Sequence, residues 1–138
     1  MNRTQTGSAL RTTLITIAAT TAVLAFLITR LPQGFSDDLS RIGRGANIVV
    51  LVHSKSTVRS QNLMSLLNQV RPDYAGKVEW LVADIETESG KAFVREQQLN
   101  DSILVFFGPD GTRRGVLEGA VDENGLRMAL DDAFSLKP

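Results

Sequence analysis

The stretch Asn47–Val70, NIVVLVHSKSTVRSQNLMSLLNQV, constrains the fold of this chain more than any other. Ile48 to Val52 is an unbroken aliphatic run closed by polar residues from His53 onward. Val and Ile favour a pleated backbone, and so short a run between polar residues reads as a buried strand. A helical pattern begins at once. With Ser56 as N-cap, Leu63, Leu66, Leu67 and Val70 fall at i, i+3, i+4 and i+7, one apolar stripe of an α-helix. A buried strand running straight into an amphipathic helix sets the chain toward an α/β fold.

The same alternation continues downstream. Arg71–Lys77 is a turn broken by Pro72 and Gly76, and Val78–Ala83 is a second strand, apolar enough to be covered on both faces. Thr87 or Ser89 caps a short helix that turns Ala92, Phe93 and Val94 inward. Ser102–Phe107 is a third strand, and Gly108-Pro109-Asp110-Gly111 is a hairpin turn. Thr112–Glu118 is a fourth, more polar strand placed at an edge. Asp122 then caps a last helix carrying Leu126, Ala129, Leu130, Ala133 and Phe134 at helical spacing. The order is β-α-β-α-β-β-α, with a parallel crossover first and an antiparallel hairpin last.

Upstream the chain changes character. Residues 1–11 form a polar tail, and Thr12 to Thr29 continue without a charge. Roughly 20 residues of helix cross a bilayer core, so this span suffices once Arg11 and Arg30 snorkel to the headgroups. A cleaved signal peptide is the rival reading. The run closes as Phe26-Leu27-Ile28-Thr29-Arg30-Leu31-Pro32-Gln33, with no A-x-A cleavage spacing, which favours an uncleaved anchor. Threonines at 12, 13, 16, 20, 21 and 29 can bond back to the preceding turn. Ala18, Ala22, Ala25 and Thr29 fall at i, i+4, i+7 and i+11, a narrow face of small side chains on which another helix can pack in lipid. Basic residues flank the span on both sides, so the orientation rests on the short tail, which favours export of the domain beyond the span. The expected organisation is a tail (1–11), a single transmembrane anchor (12–30), a linker (31–45) broken by Pro32, Gly34, Gly43 and Gly45, and a folded domain (46–138). Within the linker Ser36 is placed to cap one helical turn, with Phe35, Leu39 and Ile42 facing the membrane or the domain.

Charge and composition exclude several functions. The 138 residues hold 15 basic and 15 acidic side chains, divided unevenly. Five Arg against two Asp give residues 1–45 a net +3, and ten Lys/Arg against thirteen Asp/Glu give residues 46–138 a net −3. Such a domain lacks the broad basic surface that nucleic-acid binding requires. The chain contains no cysteine, which removes disulfides, thiolate metal ligands and thiol nucleophiles. One histidine is too few for an ordinary imidazole metal site, and no cofactor motif is present.

The segment GPDG with its continuation TRRGVLEGAVDENGLRMAL resembles the carboxy-terminal unit of the thioredoxin-like family: hairpin turn, strand, Gly-Ala, cap and helix. Val82-Ala83-Asp84-Ile85-Glu86 is similar to that family's second-strand segment with its closing acidic residue. The resemblance covers about residues 46–136 and implies a three-layer thioredoxin-like domain. It also implies that Thr57 and Ser60 occupy the positions of the family's two reactive cysteines. The family's cis-proline falls near Asp101–Ser102, where this sequence has none. The resemblance therefore points to a redox-inactive member.

Several residues remain as candidates for binding. His53 stands beside Ser54, Ser56 and Ser60, an arrangement that can activate a hydroxyl, although serines are equally at home in turns and caps. Lys55 and Arg59 make the turn that carries Ser56, Thr57 and Ser60 basic, at a helix start that favours anions. Arg113 and Arg114 lie on the expected edge strand, as a contact surface or as charges that resist pairing. Asp84, Glu86 and Glu88 read as a solvated acidic loop, and Trp80 and Tyr74 as core and turn residues. The resulting expectation is a bacterial inner-membrane protein with a periplasmic, non-redox domain. Its role would be that of an accessory, assembly or stabilising subunit contacting integral membrane partners. The competing expectation is a membrane-tethered enzyme or binding protein that uses the turn at 53–60.

Overall fold

The computed structural model describes residues 13–23, 25 and 34–136. They fall into two units, Met1–Gly34 and Phe35–Pro138. In the first, residues 13–23 are helical and solvent-exposed, and Ala18, Ala22 and Ala25 lie on helical backbone. The hydroxyls of Thr20 and Thr21 donate back to the carbonyls of Thr16 and Ile17 at 2.7 and 2.8 Å, the local bonding expected of threonine in a helix. Among the described residues no helix is long and apolar enough to cross a membrane. Much of the expected anchor, including residues 26–30 and with them Thr29, lies outside the described residues.

The second unit carries a four-stranded sheet in the order β2-β1-β3-β4. The strands are β1 (Ile48–His53), β2 (Glu79–Asp84), β3 (Ile103–Phe107) and β4 (Arg113–Leu117), and the helices α1 (Val58–Val70), α2 (Glu88–Gln97) and α3 (Glu123–Phe134). β1 runs parallel to β2 and antiparallel to β3, and β4 pairs antiparallel with β3 through an irregularity between Phe106 and Phe107. The order β-α-β-α-β-β-α is the one the sequence predicts, and β4 is the exposed edge.

Period-two alternation distributes β1 between two cores. Val49 and Leu51 join Leu63, Leu67 and Val70 of α1, Leu126 and Leu130 of α3, and Leu104 and Phe106 of β3. Ile48, Val50 and Val52 pack on the opposite face with Leu81, Phe93, Val105 and Phe107. Edge-to-face aromatic pairs close both layers, Phe106 with Phe134 at 5.9 Å and Phe93 with Phe107 at 6.0 Å. The α1 stripe is narrower than the spacing suggests: Leu66 is half-buried, whereas Leu67 is 1% exposed. Ala92 faces solvent, and the inward face of α2 is made by Gly90 and Phe93. Tyr74 belongs to the core rather than to a turn surface, with its hydroxyl donating to Asp131 at 3.1 Å.

Two caps fall where expected: Thr87 accepts from the Gly90 N–H, and Asp122 from that of Gly125. The cap of α1 is Thr57 rather than Ser56, and it makes no side-chain capping bond. Its hydroxyl is engaged elsewhere.

The compact unit begins at Phe35, ahead of the boundary expected at residue 46. Ser36 forms a single parallel bridge to Leu81 at the outer edge of β2, accepting the Val82 N–H at 2.9 Å. Asp38 then caps a 3-10 turn, Leu39–Arg41. Phe35 packs toward one core with the Arg71 guanidinium 4.9 Å above its ring, while Leu39 and Ile42 pack toward the other. The Gly45 N–H donates to the Pro109 carbonyl, and Gly43 rests against Gly111 in the hairpin turn, both glycines at positive φ. Residues 35–45 are thus a strap bound to the domain from the β2 edge to the β3–β4 turn.

Candidate functional site

The C-terminal end of β1 delivers His53 and Ser54 to the start of α1, and the loop before β3 delivers Asp101 and Ser102 to the same place. Ser60, fully buried, anchors the junction. Its Oγ accepts the Ser54 N–H at 2.9 Å and lies 2.7 Å from His53 Nδ1. Ser54, also buried, shares a hydroxyl bond with exposed Ser56 at 2.8 Å. Thr57 Oγ1 donates to Asp101 Oδ2 at 2.7 Å, and Ser102 adds a longer bond of 3.3 Å to the same oxygen. Ser102 holds a positive φ of 60°, a conformation that non-glycine residues adopt mainly where surrounding contacts fix it.

The basic character of this turn is largely cancelled. Lys55 Nζ lies 2.9 Å from Asp84 Oδ2 and 3.6 Å from Glu86 Oε2. Asp84 is the cross-strand neighbour of His53 in the β1–β2 register. Its carboxyl is held below the usual carboxylate range, first by the hydrogen bond from Lys55 and then by the Glu86 backbone N–H. Lys55 is correspondingly raised, chiefly by Asp84. The acidic loop is therefore a counter-charge to the turn, not a merely solvated segment. A depressed carboxyl stabilises the fold at pH above its unfolded value, and that contribution disappears as pH falls through the folded value. Asp84→Asn keeps an acceptor for the Glu86 N–H while removing the charge. The stability difference between wild type and this variant is expected to close as the pH drops below about 4. Urea midpoints at neutral and acidic pH check this, and a gap that does not change with pH contradicts the assignment.

Of the other candidate residues, Arg113 donates to the Gln97 carbonyl at 3.0 Å and Arg114 lies 3.9 Å from Asp110, so neither converges on the junction. Arg59 is exposed and lines a groove of about 320 Å³ with Asn62, Leu63, Gly119, Ala120 and Val121. Neither the Asp101–Thr57 contact nor this groove was signalled by periodicity. The first joins residues 44 apart, and the second is shaped by a loop between β4 and α3.

Solved structures of other proteins have a similar fold. An uncharacterized thioredoxin-like protein from Clostridium perfringens aligns with a TM-score of 0.63 at 17% identity, over 72% of this chain and 79% of that one. Thioredoxin O2 from Arabidopsis thaliana in its oxidized state aligns with a TM-score of 0.58 at 14% identity, over 69% and 84%. A malarial protein aligns with a TM-score of 0.56 at 12% identity, over 64% and 97%. The chain has a thioredoxin-like fold. No family model matches its sequence, and no curated protein does. Without cysteine, this thioredoxin-like domain has no thiol to exchange, and it is redox-inactive. Thr57 and Ser60, which the resemblance sets at the cysteine positions, each spend their hydroxyls on internal hydrogen bonds.

Proposed function

We propose that this chain is a non-catalytic, membrane-anchored accessory, assembly or stabilising subunit of a bacterial inner-membrane protein complex. Its thioredoxin-like domain lies on the periplasmic side. The supporting observation is the latched junction: the hydroxyls of Thr57 and Ser60 are committed to Asp101, His53 and the Ser54 backbone. A domain so closed at the place of the family's reaction centre retains grooves and edges for protein contact. A membrane tether raises its local concentration beside integral partners. The uncharged run of residues 12–29 supports the anchor, and the spacing of Ala18, Ala22, Ala25 and Thr29 supports pairing with a partner helix.

The Ser60–His53 contact favours a second reading, an enzyme or binding protein built on the turn at 53–60. Ser60 is fully buried, however, and a nucleophile must meet its substrate. The two readings separate in one experiment. Replacing His53 and Ser56 together by Ala is expected to leave activity in the cell intact. Ser60 is left in place, because removing its oxygen strands the buried Ser54 N–H at about 1–3 kcal/mol. Replacing Ala22 and Ala25 by Leu is expected to weaken helix pairing by about 1–2 kcal/mol, seen as roughly tenfold less partner co-purified in mild detergent. The opposite pattern, function lost in the alanine pair and retained in the leucine pair, overturns the subunit reading.

A further inference from the structure

Resting on the subunit reading, we propose that the groove beside Arg59 receives an acidic segment of the partner protein. That segment is an extended stretch in which a carboxylate neighbours an apolar side chain.

The groove joins two parts of the chain that are distant in sequence, the first turns of α1 and the loop between β4 and α3. Leu63, Ala120 and Val121 give it apolar walls, and Asn62 adds an amide. Its roughly 320 Å³ is at the lower limit of small-molecule sites and fits side chains of a peptide better than a cofactor. Val58, next to Arg59 in the chain, is 72% exposed, an unusual placement for a β-branched apolar residue at the start of a helix. Arg59 supplies the charge. Of the four cations singled out for binding, Lys55 is neutralised by Asp84 and Glu86, Arg113 is bonded to a backbone carbonyl, and Arg114 faces Asp110. Among the described residues Arg59 forms no ion pair. A guanidinium left this way keeps its planar fork of donors for a carboxylate, the bidentate geometry arginine favours. Glu118 and Asp122 line the adjoining recess past Ala120 and Val121, and Asp122 is occupied by the Gly125 N–H. The charge asymmetry gives a bound segment a direction, with its carboxylate at Arg59 and its apolar side chain on Leu63 and Ala120.

The test uses the full chain in detergent micelles and three synthetic probes, with binding read by NMR. The probes are acetyl-Gly-Leu-Glu-Gly-amide and the versions with Gln or Lys in place of Glu. The Glu peptide is expected to shift the Arg59 side-chain and Gly119–Val121 amide resonances saturably, and to bind about threefold tighter than the Gln peptide, the scale of one exposed ion pair. Arg59→Glu is expected to reverse the order, so that the Lys peptide binds best. Arg113→Gln is expected to leave the wild-type order unchanged. Equal binding of the Glu and Gln peptides, an order unaffected by Arg59→Glu, or shifts centred on Arg113 and Arg114 would each overturn the proposal. Its failure is distinguishable from failure of the subunit reading. A complex that co-purifies undiminished with Arg59→Glu overturns the groove and keeps the subunit. Peptides discriminated by a chain that co-purifies with nothing overturn the subunit and keep the groove.

Discussion

Gly90→Ala is expected to destabilise the domain by about 3 kcal/mol or more, although helix propensity taken alone predicts a gain of about 1 kcal/mol. The conflict is decided by geometry. Gly90 is buried in the first turn of α2, and a Cβ built on it would lie 1.9 Å from the Asp84 carbonyl oxygen and 2.5 Å from the carbonyl carbon. Both are backbone atoms at the end of β2, which is fixed in register to β1. Nothing can rotate aside, so the helix must lift. Lifting it pulls Thr87 away from the Gly90 N–H and the Asp84 carbonyl, and withdraws Phe93 from Phe107. Gly125, in the corresponding turn of α3, is the control. A Cβ there meets Asp122 Oδ1 at 3.0 Å and Val121 Cγ1 at 3.7 Å, both side-chain atoms that can shift. Thermal unfolding measured by circular dichroism should show Gly90→Ala lowered by roughly 15 °C and Gly125→Ala changed by only a few degrees. A Gly90→Ala variant as stable as wild type contradicts the close approach of α2 to β2.

Leu67→Asp is expected to abolish folding at ordinary temperature, while Leu66→Asp one position earlier leaves a folded domain. Leu67 is 1% exposed in the core layer that also holds Val49, Leu51, Leu104 and Phe106. The cluster holds no basic side chain to serve as counter-charge, so the variant loses an apolar side chain and buries an unpaired charge. Together these exceed about 4 kcal/mol, a large part of the whole stability of a domain this size. Leu66 sits at the margin of the same core, where a carboxylate can turn to water, and about 1–2 kcal/mol is expected. Spacing alone ranks the two leucines equally. A melting curve on each variant decides between them, and equal losses would mean that α1 is rotated about its axis from the position described.

The two leucines mark the limit of what the sequence makes legible. Strands and helices were legible because each buries a repeating set of apolar side chains, and repetition survives local ambiguity. The parallel β1–β2 crossover and the 108–111 hairpin turn were readable on the same grounds. The strap was not. Its attachment depends on one backbone bridge at Ser36, a ring under Arg71, and two glycines meeting face to face, none of which repeats. The candidate site was half legible. His53, Lys55, Thr57 and Ser60 were visible as a polar interruption after an apolar strand, but their partners were not. Asp84, Glu86 and Asp101 are supplied by separate segments, and only chain folding shows that they cancel or occupy the groups at the turn.

The Asp101 carboxylate also bears on what chemistry the junction could be given. With Asp101 Oδ2 only 2.7 Å from the Thr57 hydroxyl, a cysteine placed at 57 would meet a negative charge where a reactive thiol needs a positive one. Like charge disfavours the thiolate, and Lys55, two residues before Thr57, is already held by Asp84. Thr57→Cys combined with Ser60→Cys would create the spelling of a dithiol motif around a sluggish nucleophile. Thiol chemistry at the junction would require Asp101 to change as well. Asp101, 44 positions from Thr57, is thus a barrier to thiol chemistry at this turn that is separate from the absence of cysteine.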